Sequence, residues 1–148
     1  MLTPLENVAV KGSLQIKRFN EEEVLVEEVN VKNLIVAVGK EVIAARLVGN
    51  TLPLFSHMAI GSSNTAATTA QTTLGTELGR VTLDSSARTN NAIAYIATFP
   101  AGTGTGTITE AGIFNNVSTG NMLCRTNFNA VNKAAGDTIV ITWNVTIS

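Results

Sequence analysis

One histidine and one cysteine are the side chains in this sequence best suited to nucleophilic or metal chemistry. His57 is the only imidazole, so a histidine-rich zinc motif such as HExxH is excluded. We expect His57, near the start of a strand, to be partly buried or to lie at an interface. Cys124 stands in MLCRT, where apolar neighbours favour a small buried hydrophobe. The sequence has no G-x-S-x-G motif, and any histidine-dependent nucleophile would need His57.

Carboxylates could support glycoside hydrolysis, which needs two of them about 5–9 Å apart. Beyond residue 50 the chain has four: Glu77, Asp84, Glu110 and Asp137. Glu110 lies in an apolar stretch, where an unpaired carboxylate would be costly to bury. We therefore predict that Glu110 accepts backbone N–H groups or pairs with Arg80 or Arg125. An isolated catalytic acid is the less favoured alternative.

Five glutamates form the densest charge cluster of the chain: Glu21, Glu22, Glu23, Glu27 and Glu28. Such a run is usually a solvated face. The alternative is a docking patch for a basic surface, which would bind in a salt-dependent way. The solvated face is favoured, because surface ion pairs contribute little on average.

The segment 101–107, AGTGTGT, invites comparison with a phosphate-binding loop. It lacks the Gly-Lys-Ser/Thr ending of a P-loop and does not match G-x-G-x-x-G. No clear helix follows that would point backbone N–H groups at an anion. We expect a flexible hairpin connection.

The first fifty residues predict two strands and one helix. Apolar residues alternate near 14–19, and valines recur over 24–29. Residues 33–48 have apolar side chains near helical spacing, with Asn33 as a plausible N-cap and Gly49 or Asn50 as a stop. Gly39 inside this helix is unfavourable.

Beyond residue 50 the apolar period changes to two. Strands are predicted near residues 55–60, 80–83, 92–99, 108–114, 122–128 and 138–147, with a Thr/Ala-rich loop ending near residue 73. The last strand has the clearest alternation, and Trp143 within it is expected to be buried. The predicted fold is mainly β, a β-sandwich or jelly roll with one N-terminal helix. Residues 1–50 and 51–148 are expected to form one compact unit.

Bulk composition indicates a protein that associates. Hydrophobic residues make up 45% of the 148 residues and charged residues only 14%, against roughly 25% charged in an average domain. Such a surface is expected to be partly covered by partners. A net charge of −1 provides no cationic field for nucleic acid or a membrane. With one cysteine, no signal peptide and no membrane-spanning run, we expect a soluble protein made in a reducing cytoplasm.

Four pieces of the sequence resemble a family of tailed-bacteriophage virion proteins. They are NLIVAVGKEVIAARLVG, HMAIGSSNTAATTAQTTLGTELGRV, ATFPAGTGTGTITEAGIFN and GNMLCRTNFNAVNKAAGDTIVITWNVTIS. The phrase ITEAGIFN, followed by GNMLCRTNF and the closing ITWNVTI, is the most specific part. Residues 1–32 lie outside the resemblance.

The resemblance implies a β-sandwich, expected to be a homotrimer, that reinforces a phage capsid as a decoration (cement) protein. Its partners would be other copies of itself and the major capsid protein, on the outer capsid surface, after synthesis in the bacterial host cytoplasm. The alternative is a tail-fibre, spike or collar component that binds a host surface glycan. A small enzyme is the least favoured alternative, and we expect no catalytic, cofactor or metal site. The interface and structural candidates are therefore Trp143, Glu110, Arg80, Arg125 and the five glutamates.

Overall fold

The structure is a computed structural model that describes residues 8–148. This part of the chain is mainly β, as predicted, with one helix. Its elements are β1 (Val10–Phe19), β2 (Leu25–Ile35), α1 (Ala37–Leu47), β3 (His57–Gly61), β4 (Glu77–Thr82), β5 (Ser85–Thr89), β6 (Ala92–Phe99), β7 (Gly106–Phe114), β8 (Met122–Lys133) and β9 (Thr138–Ile147). Strands β6 and β9 have the predicted bounds, whereas the fully exposed β5 was missed because it has no apolar alternation.

The strands form one curled, antiparallel sheet of nine strands in the order β4-β3-β7-β8-β2-β1-β9-β6-β5. Strand β2 joins two halves of this sheet. Most of β2 pairs with β1, but Leu34 and Ile35 pair with Arg125 and Cys124 of β8. The two halves enclose a common apolar core, which gives the sandwich-like character that the sequence predicted.

The core is built from the alternating residues of the strands. In β9, Ile139, Ile141, Trp143 and Val145 face inwards and are at most 2% exposed. Successive side chains of a strand point to opposite faces, so the polar residues between them face outwards. Burial of Trp143 follows from this pattern and agrees with the expectation from the sequence.

The helix begins later than its pattern predicted, at Ala37 rather than near residue 33. Asn33 is not its N-cap: it lies in β2, and the N-cap is Val36, which makes no side-chain cap hydrogen bond. Pairing of Leu34 and Ile35 with β8 keeps the chain extended. Gly39 now has a clear role, because a Cβ there would lie 2.3 Å from the carbonyl oxygen of Leu123. The helix can pack closely on β8 only because this position is glycine.

The Gly/Thr-rich segment before β7 is not a hairpin connection, contrary to the prediction. It links β6 to β7, which lie in different halves of the sheet and are not paired. Gly104 adopts φ +69 and approaches β4, where a Cβ on Gly79 would lie 2.9 Å from the Gly104 nitrogen. The curl of the sheet brings the two halves close enough for this short crossover, a relation that local sequence does not encode.

Candidate functional site

The outer face of the β3-β7-β8 half is covered by residues 62–76, which we call the covering loop. Alternate residues of β7 and β8 point away from the main core into a second apolar cluster. In this cluster Leu74 of the covering loop packs with Phe114 and Met122, and Val36 and Ala59 complete it. All five are at most 6% exposed. This half of the sheet therefore buries both of its faces.

Glu110 of β7 holds the covering loop through its carboxylate. It is 0% exposed. Its oxygens accept backbone N–H groups from Ser63, Gly75 and Thr76, each at 2.8 Å. The same carboxylate pairs with the Arg125 guanidinium, with Nη2 at 3.0 Å and Nε at 3.3 Å from Oε1. Glu110 thus accepts backbone N–H groups and also pairs with Arg125, which combines the two roles that the sequence predicted.

Arg125 completes this buried cluster, and all of its N–H groups have acceptors. Besides Glu110, Nη1 donates to the side-chain oxygens of Gln71 and Asn127, both at 3.1 Å. Nη2 donates to the carbonyl oxygen of Thr65 at 2.9 Å. Arginine has five donors, and each is used here. With the Glu110 oxygens occupied by five donors, the pair is suited to anchoring a loop and has no free group for acid–base chemistry.

Arg80 does not join the Glu110 cluster. It pairs with Glu77 at 2.7 Å and donates to the carbonyl oxygens of Asn116 and Thr119. Its guanidinium lies 3.8 Å from the ring centroid of Phe114, a cation–π contact. Arg80 therefore fastens the turn before β8 to β4, a structural role distinct from that of Arg125.

The remaining candidates for chemistry are dispersed. Asp84 accepts from Thr98, and Asp137 pairs with Arg18. His57 is partly buried, with Nδ1 2.8 Å from the Ser56 hydroxyl. Among residues 8–148, no group of three or more His, Cys, Asp or Glu side chains is placed to hold a metal ion.

Cys124 lies in the main core beside the β2–β8 junction and is 0% exposed. Burial raises the pKa of its thiol well above the ordinary value, which disfavours the reactive thiolate. The inert buried role expected from the sequence fits this environment.

The outer face of the half formed by β1, β2 and β9 carries polar side chains. Ser13 of β1 pairs with Lys32 of β2 and Asn144 of β9. Gln15 pairs in the same way with Asn30 and Thr142. Paired residues share one side of a sheet, so these side chains form two rows across three strands. We call this surface the polar face, and it comprises Ser13, Gln15, Asn30, Lys32, Thr142 and Asn144.

The polar face remains accessible in the part of the chain that the structure describes. Four of its side chains are exposed, and Gln15 and Thr142 are partly exposed. The six residues line a shallow depression of about 450 Å³. Its chemistry is that of hydroxyl and amide groups with a single cation, Lys32. Sequence reasoning missed this surface, because its residues are recognisable only after three strands are placed side by side.

The five glutamates lie at the tip and sides of the β1–β2 hairpin. Glu27 pairs with Arg18 at 3.0 Å, and Glu28 accepts from Gln15 at 2.6 Å. Glu21, Glu22 and Glu23 are exposed in the turn. The structure thus divides the cluster into two partnered residues on β2 and three exposed ones at the tip.

Asp137 lies next to this hairpin and extends its acidic character. The Ala134 N–H donates to its Oδ2 at 2.9 Å, and Arg18 Nη1 lies 3.0 Å from the same oxygen. The backbone hydrogen bond and the neighbouring guanidinium hold the pKa of Asp137 below its ordinary value of 3.8. The carboxylate is therefore charged through the neutral and mildly acidic range.

Three kinds of comparison with known proteins found no match to the chain. No protein-family model matches it, and neither does any curated protein or solved structure. In the described residues, no helix is long and apolar enough to cross a membrane.

Proposed function

We propose that this protein is a structural component of a bacteriophage virion, a decoration protein that associates with itself, as a homotrimer, and binds the major capsid protein. The observation that supports this proposal is the uncovered polar face. It presents closely spaced Ser, Thr, Asn and Gln side chains on a rigid sheet. A rigid surface loses little conformational entropy on binding, which favours association with a regular lattice.

The distribution of buried charge supports the same proposal. The one ion pair with both side chains fully buried among the described residues, Glu110–Arg125, is used to hold the covering loop. Three of the four carboxylates beyond residue 50, Glu110, Glu77 and Asp137, are engaged in ion pairs with arginines. The assignment to a phage virion rests on the resemblance of residues 33–148 to virion proteins. A trimer that contacts several capsid subunits at once would bind firmly even if each contact were weak.

The proposal is tested by mixing the purified protein with undecorated capsids and imaging the particles by cryo-electron microscopy. We expect added density at local three-fold or two-fold positions. Asn144→Arg, on the polar face, is expected to lower capsid occupancy. The matched control is Asn129→Arg, which changes an exposed asparagine of β8 in the other half of the sheet. Absence of binding by the unmodified protein would contradict the proposal, and equal loss in both variants would remove the polar face as the contact.

A second candidate function is recognition of a host surface glycan by a tail or collar component. The depression on the polar face favours it, because hydroxyl and amide side chains can exchange hydrogen bonds with sugar hydroxyls. Its described lining has no aromatic side chain, although ligand sites are commonly lined by apolar and aromatic groups. A glycan array probed with the unmodified protein and with Asn144→Arg separates the two functions. Specific glycan binding without capsid binding would favour this candidate.

A further inference from the structure

The two ends of the curled sheet carry opposite charge. Arg88, Ile93, Val145 and Gly12 form one continuous row across β5, β6, β9 and β1 at the end near α1, which we call the helix end. In the described residues its basic side chains are Lys11, Lys32, Lys40, Arg46 and Arg88. Glu41 of α1 also lies at the helix end. The opposite end, the hairpin end, contains the five glutamates and Asp137 together with three cations, Lys17, Arg18 and Lys133, so acidic groups still predominate there. Such a separation of charge orients molecules as they approach one another.

The helix end contains a groove of about 230 Å³ between β5, β6 and the chain that follows α1. Its apolar lining comes from Val42, Pro53, Leu54, Phe55, Ile93 and Tyr95. Arg46 and Arg88 also line the groove. Each donates to a backbone carbonyl, of Leu52 and Asn90 respectively, and neither pairs with a carboxylate of the described residues. The groove therefore offers apolar surface together with two cations available to an anionic ligand.

Exposed apolar side chains lie in this groove and directly after its residue Arg46 in the chain. Leu54, which lines it, is 66% exposed. Leu47 and Val48, at the end of α1, are 84% and 75% exposed. Clusters of exposed aliphatic side chains of this kind mark interaction sites. An occupant with both apolar and acidic groups would match the whole surface.

The tip of the β1–β2 hairpin has that combination. Val24, Leu25 and Val26 are 52%, 45% and 45% exposed, and they directly follow the exposed Glu21, Glu22 and Glu23. We call residues 21–26 the hairpin tip.

The hairpin tip is held in a defined conformation by Asn20. Asn20 Oδ1 accepts the backbone N–H groups of Glu22 and Val24, both at 3.0 Å. The Asn20 N–H also donates to the carbonyl oxygen of Val24. A preordered tip loses little conformational entropy when it binds.

A single molecule cannot place its own tip in its own groove. Gly12 lies in the row that contains the groove residue Ile93, and Phe19 lies at the base of the tip. The extended strand between them spans about 23 Å, at roughly 3.3 Å per residue. The complementary surfaces therefore lie at opposite ends of the sheet, as a head-to-tail contact requires.

We infer that the hairpin tip of one copy docks in the helix-end groove of a second copy. Val24, Leu25 and Val26 cover the apolar lining, and the tip glutamates pair with Arg46 and Arg88. A contact between different surfaces closes into a ring when its rotation permits. This inference rests on the self-association in the proposed function and specifies its interface.

Charge reversal tests the contact on the full chain by analytical ultracentrifugation. Arg46→Glu with Arg88→Glu reverses the groove, and Glu21→Lys with Glu22→Lys reverses the tip. Each pair is expected to raise the dissociation constant of self-association on the order of tenfold or more. The chain with all four changes restores opposite charges across the contact and is expected to regain association. The inference would be overturned if this combined variant fails to associate although its thermal unfolding midpoint equals that of the unmodified protein.

The matched control reverses two other cations at the same end. Lys11→Glu with Lys40→Glu causes the same change in net charge but lies outside both the groove and the polar face. Association is expected to stay close to that of the unmodified protein. An equal loss in this control would show a general charge effect and overturn the specific contact.

Cysteine cross-linking tests the same contact without charge changes. Val24→Cys combined with Leu54→Cys places one thiol on the tip and one beside the groove, and the buried Cys124 stays unreactive. Oxidation with diamide is expected to link several chains covalently, whereas either single substitution can give dimers at most. An absence of products larger than dimers would contradict the head-to-tail arrangement.

These results are distinguishable from those on capsid binding. A protein that binds capsids and self-associates, but whose association is unaffected by the groove and tip changes, would retain the proposed function and lose this inference. A protein that associates through the groove and does not bind capsids would retain the inference and lose the proposed function.

Discussion

The two halves of the sheet treat their outer faces differently. Outside β3, β7 and β8, the covering loop is fastened by Glu110 and Arg125, both 0% exposed, and by the second apolar cluster. Outside β1, β2 and β9, the polar face is accessible among residues 8–148. Both halves share one inner core. One half therefore buries both of its faces, whereas the other half exposes one face in the described residues.

Arg125→Met is expected to produce the largest loss on the covered half. It leaves the Glu110 carboxylate buried without its cation, which costs about 3–5 kcal/mol of unfolding free energy. Urea denaturation, monitored by circular dichroism, measures the free energy of unfolding. Lys40→Met, at an exposed lysine of α1, is the control and should change stability by less than about 0.5 kcal/mol. Similar small losses in both variants would contradict the anchoring role of Arg125.

Removal of both charges sharpens this test. The double variant Glu110→Leu/Arg125→Met is expected to remain destabilised, because the N–H groups of Ser63, Gly75 and Thr76 lose their acceptor. A double variant as stable as the native protein would show that the carboxylate serves only as a counterion for Arg125.

Trp143→Ala probes the inner face of the uncovered half. Trp143 is 0% exposed, so its truncation is expected to cost about 3–5 kcal/mol. Its indole Nε1 has no hydrogen-bond partner in the described part of the chain. Trp143→Phe, which removes that donor and keeps an aromatic ring, should therefore cost clearly less in the same denaturation experiment. Equal losses in the two variants would contradict a purely apolar role for this side chain.

Asp137→Asn tests a smaller, pH-dependent contribution at the hairpin end. The lowered pKa of Asp137 means that the folded state favours its charged form. This stability is present above the unfolded-state pKa of about 3.8 and is lost as pH falls through the folded value. At neutral pH the partly exposed Arg18 pair should be worth less than about 1 kcal/mol.

Thermal unfolding measured between about pH 5 and about pH 2 should show a steeper acid loss for the native protein than for Asp137→Asn. Identical pH profiles would contradict the contribution of this carboxylate. Asp84→Asn, at a carboxylate that accepts only a threonine hydroxyl, is the control.

Asn144→Ala should have the smallest effect on stability. Asn144 follows Trp143 in β9 but points to the polar face and is exposed. We expect a change within about 0.5 kcal/mol by urea denaturation. A loss comparable to that of Trp143→Ala would mean that the polar face is required for folding, and the contrast between the two halves would fail.

Much of the fold was predictable from local pattern, and the site was predictable only in part. The alternation in β6 and β9 predicted their bounds, and apolar neighbours predicted that Glu110 needs a partner. The sequence left Arg80 and Arg125 as alternatives, since separation along the chain does not reveal which strands are adjacent. Asn33 was misassigned because pairing with β8 overrides the helical pattern at the end of β2.

Sequence by itself determined the mainly β class, the burial of Trp143 and Cys124, and the presence of only one histidine and one cysteine. These properties depend on composition and on the alternation of apolar and polar residues. That alternation can be read within a single strand, because successive side chains point to opposite faces. Tertiary structure alone decided that Glu110 binds Ser63, 47 residues away, and that β1, β2 and β9 align their polar residues into one face. Both depend on long-range strand pairing, which sets distances that neighbouring residues do not encode.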